Sequence, residues 1–243
     1  MKYAVISDIH GNLEALNAVL KDIKKCRVDV IVCLGDIVGY YPDPRRCIEL
    51  VKAHCAHCVA GNHDCAAIGV TDTSCFTYYA FAAIEWTRQR LTDSDKEYLM
   101  TLPLTIEHDG LFFTHSSPAD PAKFPYVFPD NEDTISSAFR NLTHHVNFIG
   151  HTHWPFVLLR ESDEIKMHSG SSVEIRKKCS YLINVGSVGQ PRDYDHRSCY
   201  ALYDTKKGVI SLRRVKYNYK ITQKKIRENN LPVFLAERLE RGR

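Results

Sequence analysis

Three short runs rich in β-formers, Lys2–Ser7, Val28–Leu34 and Cys58–Ala60, alternate with two stretches of helical spacing at the start of this chain. Asn12 can cap the first helix, whose apolar face is Leu13, Leu16, Leu20 and Ile23. Asp43-Pro44 reads as an N-cap followed by proline at the first helical position, opening a helix that buries Cys47, Ile48 and Val51. Strands alternating with helices predict an α/β chain with a largely parallel sheet.

Further along, Phe76–Leu91 is apolar and aromatic, with Tyr79, Ala83 and Trp86 on one side, and Ser94 with Glu97 matches a capping box. Leu104–His108 and Leu111–His115 flank Asp109-Gly110, the signature of a hairpin. Strands are expected at Val146–Ile149, Phe156–Arg160, Ile165–His168, Tyr181–Val185, Tyr200–Tyr203 and Val209–Val215, with turns at Ser162-Asp163 and Lys207-Gly208. Two short helices separated by Leu231-Pro232 close the chain. With no repeat, low-complexity tract or linker, residues 1–243 read as one domain of two facing sheets with helices outside.

Composition narrows the function classes. A net charge of +3 is too weak to argue for a nucleic-acid partner, and the Lys/Arg excess at 206–227 reads as a solvated face. No stretch approaches the ~20 apolar residues of a membrane span, and the run Tyr3–Ile6 meets Asp8 too soon for a signal segment. A soluble, cytoplasmic protein is the expectation. Nine cysteines, an odd number without a secretory signal, argue against a disulfide framework. Cys55-Ala56-His57-Cys58 has no second pair to complete a zinc site and reads as two reduced thiols at a helix end and a strand start.

The chemistry-bearing residues fall just past predicted strands. Asp8 and His10 follow the first, Gly35-Asp36 the second, and Gly61-Asn62-His63-Asp64 the third. His115 ends the hairpin, and Gly150-His151-Thr152-His153 follows Val146–Ile149. In α/β sheets, ligands bind beyond the carboxyl ends of strands. Singly, each motif is commonplace: a loop Asp-x-His, a Gly-Asp turn, a helix-capping Asn. Five segments delivering metal-capable side chains to one edge are not. Two divalent ions ~3.5–4 Å apart neutralise a phosphate ester and make hydroxide from water near neutral pH. A carboxylate must bridge ions held that close, and imidazole in the shell suits manganese, iron, zinc, cobalt or nickel over magnesium.

This pattern resembles the calcineurin-like metallophosphoesterases. The segments Ser7–Asn12, Gly35–Tyr40 and Asn184–Arg192 look like the small bacterial and archaeal phosphodiesterase-type members. The resemblance implies a four-layer α/β/β/α sandwich of two mixed sheets. It also implies one ion on Asp8, His10, Asp36 and His153, and a second on Asp36, Asn62, His115 and His151, with a metal-bridging hydroxide attacking phosphorus in line. His63 would stay off the metals and assist the departing oxygen. The substrate would be a small phosphate ester or nucleotide, first a phosphodiester. Dinucleoside polyphosphates, or phosphomonoesters of the Ser/Thr type, are the alternatives, and an inert interaction scaffold is the rival class. The resemblance leaves open whether the chain forms a homo-oligomer.

Two departures stand out. The protein Ser/Thr phosphatases and the classical symmetrical diadenosine tetraphosphatases carry Gly-Asp-x-x-Asp-Arg-Gly, where this chain has Gly35-Asp36-Ile37-Val38-Gly39-Tyr40-Tyr41. It lacks the acid that would orient His63 and the arginine that would clamp phosphate. Ser116 stands where related small members carry glycine. Arg192, after the Gly186–Gly189 loop, is the first candidate for a phosphate contact, because glycines let backbone N–H groups approach an anion. Asn12, at a helix start facing the same edge, is a second. Tyr40, Tyr41 and Arg45 are weaker candidates for a leaving-group pocket.

Overall fold

The strand–helix alternation of the first sixty residues is present. In the computed structural model, which describes residues 1–243, Lys2–Ile6 (β1), Leu13–Cys26 (α1), Val30–Cys33 (β2), Pro44–His54 (α2) and His57–Cys58 (β3) follow one another. Asn62–Ala67 (α3), Tyr78–Arg88 (α4) and Asp93–Met100 (α5) come next, then the hairpin Thr105–His108 (β4) and Leu111–Thr114 (β5). Glu132–Arg140 (α6) precedes Val146–Ile149 (β6), Phe156–Glu161 (β7), Glu164–Met167 (β8), Ser172–Glu174 (β9) and Cys179–Asn184 (β10). Ser198–Asp204 (β11), Val209–Val215 (β12), Tyr219–Glu228 (α7) and Val233–Arg241 (α8) complete the chain.

The strands form two six-stranded mixed sheets, ordered β3-β2-β1-β11-β12-β9 and β4-β5-β6-β10-β7-β8. Side-chain alternation along β1 shows how they stack. Tyr3 and Val5 join Phe113, Phe148, Tyr181 and Ile183 in the core between the sheets. Ala4 and Ile6 point the other way, onto Leu16 and Val19 of α1 and Ile48 and Val51 of α2. On the far side, Ile135 and Phe139 of α6 cover Ile149, Leu158 and Leu182. The result is a four-layer α/β/β/α sandwich. Register is well specified, because β1 pairs in parallel with β2 (Tyr3 opposite Val30) and a one-residue slip would exchange the two apolar faces.

β1, β2 and β3 run parallel in one sheet, and β5, β6 and β10 run parallel in the other. Their carboxyl ends therefore share an edge, and the loops leaving them meet there. α7 and α8 pack on the same end, where Leu235, Ala236 and Leu239 lie against Tyr40 and Tyr41. No helix is long and apolar enough to cross a membrane. All nine cysteines are free, with Cys55 ending α2 and Cys58 in β3.

Several local expectations need correction. The capping box of α5 is one turn-start earlier than Ser94/Glu97: Thr92 accepts the Asp95 N–H at 3.2 Å, and the Asp95 carboxylate accepts the Thr92 N–H at 2.9 Å. The buried face of α4 is Ala80, Ala83, Ile84 and Thr87, while Tyr79 turns outward. Asp43 does not cap α2 with its side chain, because its carboxylate accepts from Lys225 of α7 at 2.7 Å. β9 and α6 lie outside the expected elements. β9 is three residues long, and the α6 face Ile135, Ala138 and Phe139 is diluted by Ser136 and Ser137.

Candidate metal centre

All seven predicted polar residues converge where the two sheets' carboxyl ends meet, and all are buried. The backbone there is unusual. Asp8, His10, Asp36, His151 and His153 all have φ between 51° and 68°, the left-handed region that non-glycine residues rarely enter. Such conformations persist only where the surroundings over-determine them. Here the loops brace one another: the Asp8 N–H donates to the Gly35 carbonyl, and those of His10 and Gly11 donate to the Asp36 and Ile37 carbonyls. Asp64 adds a further brace, its carboxylate accepting the N–H groups of Ile37, Val38 and Gly61 at 2.9–3.1 Å. Gly61 is required by proximity, since a Cβ there would stand 2.1 Å from Asp36 Oδ1.

The side chains form two groups. Asp8, His10, Asp36 and His153 bring one donor atom each to within 4.8 Å of one another, and Asp36, His115 and His151 do the same. Asp36 belongs to both: its Oδ2 lies 3.6 Å from His10 Nε2 and 3.4 Å from His115 Nε2. Asn62 joins the second group through Oδ1, 3.2 Å from His115 Nε2. Asp36 Oδ1 accepts the His63 N–H at 2.8 Å, and Asp8 Oδ2 accepts the His151 N–H at 3.1 Å, which aims the remaining carboxylate oxygens inward.

The donor chemistry fits cations. His10, His115 and His153 each donate Nδ1–H to a backbone carbonyl, those of Val38, Leu34 and Gln190, at 2.6–3.1 Å. A carbonyl can only accept, so in the neutral, metal-binding form of each ring Nε2 is left as a lone pair facing the centre. His10 Nε2 and His153 Nε2 then lie 3.0 Å apart, and His115 Nε2 lies 3.1 Å from His151 Nδ1. Lone pairs so close repel unless a cation or proton sits with them. Asp8 Oδ1 is buried without a hydrogen-bond partner. Burial would raise the carboxyls of Asp8 and Asp36, yet the neighbouring imidazoles hold both below the usual carboxylate range. Burial likewise disfavours a charged His115, but Asp36 and Asp8 draw it up to about 10.

His63 lies beside this centre with no acid against it. Its Nδ1 is buried and unpartnered, and a Cβ on Gly39 would stand 2.6 Å away. The space an orienting side chain would need is thus closed by the histidine itself. Aromatic rings hold it instead, with the Tyr40 and Phe76 centroids at 4.6 and 4.9 Å. Burial pushes its imidazole down to about 4 against the attraction of Asp36, with Arg192 and His153 adding to the shift.

A cleft of about 460 Å³ opens from His63 and Asn62 and is lined by Tyr40, Phe76, Tyr126 and Arg192. Arg192 enters it held by Gln190 Oε1 at 2.7 Å and the Tyr40 hydroxyl at 3.2 Å. The glycines before it do not face an anion. A Cβ on Gly189 would strike the Ile9 carbonyl oxygen at 1.9 Å, so this glycine allows the loop to pack on the Asp8–His10 turn. Asn12 has no free atom for a ligand, which corrects that expectation. Its Nδ2 donates to the Gly189 carbonyl and the Tyr217 hydroxyl, and its Oδ1 accepts from Ala15 N–H and the Thr222 hydroxyl. Tyr41 is fully buried against Gln190, and Arg45 pairs with Asp95 outside the cleft. Ser116 is buried, its hydroxyl unpartnered. Sequence reasoning missed Tyr126, whose ring stacks on His151 at 4.0 Å, and the α8 residues Phe234 and Arg238 at the cleft's outer end. Nothing in the spacing of α8 separates those two from an ordinary solvated helix face.

Residues 1–208 match the calcineurin-like phosphoesterase superfamily domain, and the chain belongs to that superfamily. It is 41% identical over 244 residues to an uncharacterised protein of Methanocaldococcus jannaschii, covering 99% of this chain and 98% of that one. Among solved structures it resembles a metallophosphoesterase of Sphaerobacter thermophilus, at 37% identity, TM-score 0.87, and coverage of 100% and 99% of the two chains. A hypothetical protein of Pyrococcus horikoshii shares the fold at 22% identity and TM-score 0.80, over 100% and 98% of the chains.

Proposed function

We propose that this chain uses two divalent metal ions to hydrolyse phosphodiester bonds in small phosphate esters or nucleotides. The observation that carries the reading is Asp36, whose Oδ2 is shared between two groups of inward-facing nitrogen and oxygen donors. Asp8, His10, Asp36 and His153 would hold one ion, and Asp36, Asn62, His115 and His151 the other. When bound, the ions would neutralise the phosphoryl oxygens and supply a nucleophile from water near neutral pH. The mixed imidazole and carboxylate donor set accommodates manganese, iron, zinc, cobalt or nickel, and manganese is our first choice for the test.

The protein's own groups would do the rest. Hydrolysis adds water across one P–O bond: its oxygen joins phosphorus, and the ester oxygen leaves carrying a proton. His63, beside the centre and facing the cleft, would stabilise that departing oxygen. Arg192 would meet a phosphoryl oxygen, its guanidinium pre-oriented by Gln190 and Tyr40. Gly39-Tyr40, in place of an acid–arginine pair, argues against phosphoprotein substrates. Nine unpaired thiols suit a reducing compartment, so we assign the chain to the cytoplasm. The packing of α7 and α8 on Tyr40 and Tyr41 supports one folding unit over residues 1–243.

The purified chain loaded with Mn²⁺ should bind about two ions by elemental analysis and hydrolyse bis(p-nitrophenyl) phosphate, with activity lost on chelation. Failure to turn over any member of a panel of monoesters, diesters, cyclic nucleotides and dinucleoside polyphosphates, with the ions bound, would sink the reading.

A further inference from the structure

The outer half of the cleft holds a second cation that the proposed hydrolysis does not use. Arg238, on α8, faces the same space as Arg192, and both approach the Tyr40 ring, whose centroid is 5.9 and 5.8 Å from the two guanidinium carbons. Neither arginine has an Asp or Glu within ion-pairing distance: Arg192 bonds Gln190 and Tyr40, and Arg238 donates Nε–H to a main-chain carboxylate oxygen of Arg243, which leaves its two terminal nitrogens free. Arg214 and Lys225 are by contrast paired, with Asp193 and with Glu14 and Asp43.

Two half-buried guanidiniums facing one cleft repel one another, and for Arg238 that repulsion and its partial desolvation are a cost. Both effects push Arg238 below its ordinary value. An anion between them removes the cost, and a guanidinium's planar fork fits phosphate oxygens. The metal centre lies on one side of this pair, behind His63. On the other side, Phe234 and Tyr79 stack on each other at 4.5 Å, and both are partly exposed to the cleft. Contacts therefore run from His63 to Tyr40, from Tyr40 to both arginines, and from Arg238 to the Phe234 ring at 5.6 Å.

We propose that Arg192 and Arg238 bind a second, non-scissile phosphate of the leaving group and that Phe234 and Tyr79 receive the ring beyond it, so that the preferred substrate is a nucleotide carrying linked phosphates. This rests on the phosphoesterase reading and adds to it a requirement for a second anion. A single-phosphate diester would reach only the metal centre. A phosphate chain with a base would span the cleft.

The test uses the full-length Mn²⁺-loaded chain and two substrates, bis(p-nitrophenyl) phosphate and diadenosine tetraphosphate. In Arg238→Ala, the ratio of kcat/KM for the second over the first should fall at least about tenfold, carried mainly by KM. Arg238→Lys, which keeps charge but not the fork, should recover part of it. A ratio within about twofold of wild type, with melting temperature and metal content unchanged, overturns the inference. Calorimetry with methylene-bridged ADP tests it without turnover: wild type should bind, and Arg238→Ala should bind at least about tenfold more weakly. If wild type hydrolyses neither substrate but the analogue binds in an Arg238-dependent way, the hydrolytic reading fails and the anion site stands. If wild type hydrolyses both with no Arg238 dependence, the hydrolytic reading stands and the anion site fails. Phe234→Ala should lower the preference for the adenine-bearing analogue over inorganic tripolyphosphate, and an unchanged preference removes the aromatic rim from the proposal.

Discussion

Replacing Asn12 by alanine separates two roles for one residue, a substrate contact and a structural tie. The side chain makes four hydrogen bonds, to Ala15, Gly189, Tyr217 and Thr222, and it is fully buried. It therefore fastens the start of α1 to the Gly189 loop and to α7. The two hydroxyls can recover: Thr222 has Glu14 at 2.9 Å, and Tyr217 is only half-buried. The Ala15 N–H and the Gly189 carbonyl cannot. Loss of an N-cap costs about 1 kcal/mol and a buried orphan carbonyl about 1–3 kcal/mol, so Asn12→Ala should destabilise by about 2–4 kcal/mol. For a chain of this size, that lowers the melting temperature by about 5–15 °C. Urea denaturation of wild type and variant gives the free-energy difference directly. Asn12→Asp keeps the cap acceptor but sets a carboxylate oxygen against the Gly189 carbonyl, so it should be at least as destabilising. A loss under about 1 kcal/mol in Asn12→Ala, together with a raised KM, would refute the structural assignment and restore Asn12 as a substrate contact.

Other outcomes follow from the same geometry. Asp36→Asn keeps the acceptor for the His63 N–H but removes the shared charge, so bound metal and phosphodiesterase rate should fall together; full metal occupancy in the variant would contradict a bridging role. His63→Ala should retain Mn²⁺ by elemental analysis while the rate on bis(p-nitrophenyl) phosphate drops about 10²–10⁴-fold. Gly61→Ala must displace Asp36, whose Oδ1 would lie 2.1 Å from the new methyl, so metal affinity should fall although no donor atom is lost; unchanged affinity would show that the two loops can part freely.

The sheet edge that gathers the site was legible because it follows from local pattern. β-rich runs ending in Asp8, Asp36, Asn62, His115 and His151 predict strands, and the parallel order of β1, β2 and β3 puts their ends together without further information. β6 and the β4–β5 hairpin were equally clear, the latter because Asp109 and Gly110 both take positive φ. What the pattern could not show depends on contacts distant in sequence. Asn12 looked available because a helix start near an anion site usually is; its partners Gly189, Tyr217 and Thr222 lie 177 to 210 residues away. Arg238 is invisible for the same reason, since only packing of α8 on Tyr41 turns it toward the cleft.

The loss of an acid next to His63 has a geometric consequence beyond specificity. Gly39 takes φ 106°, a value that strongly disfavours any other residue, and its Cα side is filled by the imidazole. Restoring an aspartate there would face both backbone strain and a 2.6 Å collision, so it could not simply regain the missing hydrogen bond. Tyr40 holds the ring by contact instead: it meets His63 at a tilt and His10 edge-on, with centroids 4.6 Å away in each case, while its hydroxyl accepts from Arg192. One residue thus couples His63, a residue of the first donor group and the arginine of the cleft. An acid would hold His63 through a charged hydrogen bond that strengthens as the imidazole becomes positive. An aromatic ring holds position with far less bias in charge, leaving His63 neutral in a buried site already rich in cationic groups. In the proposed reaction that favours hydrogen-bond stabilisation of the departing oxygen over full proton donation, and it suits a leaving group, such as a phosphate, that departs without needing a strong acid.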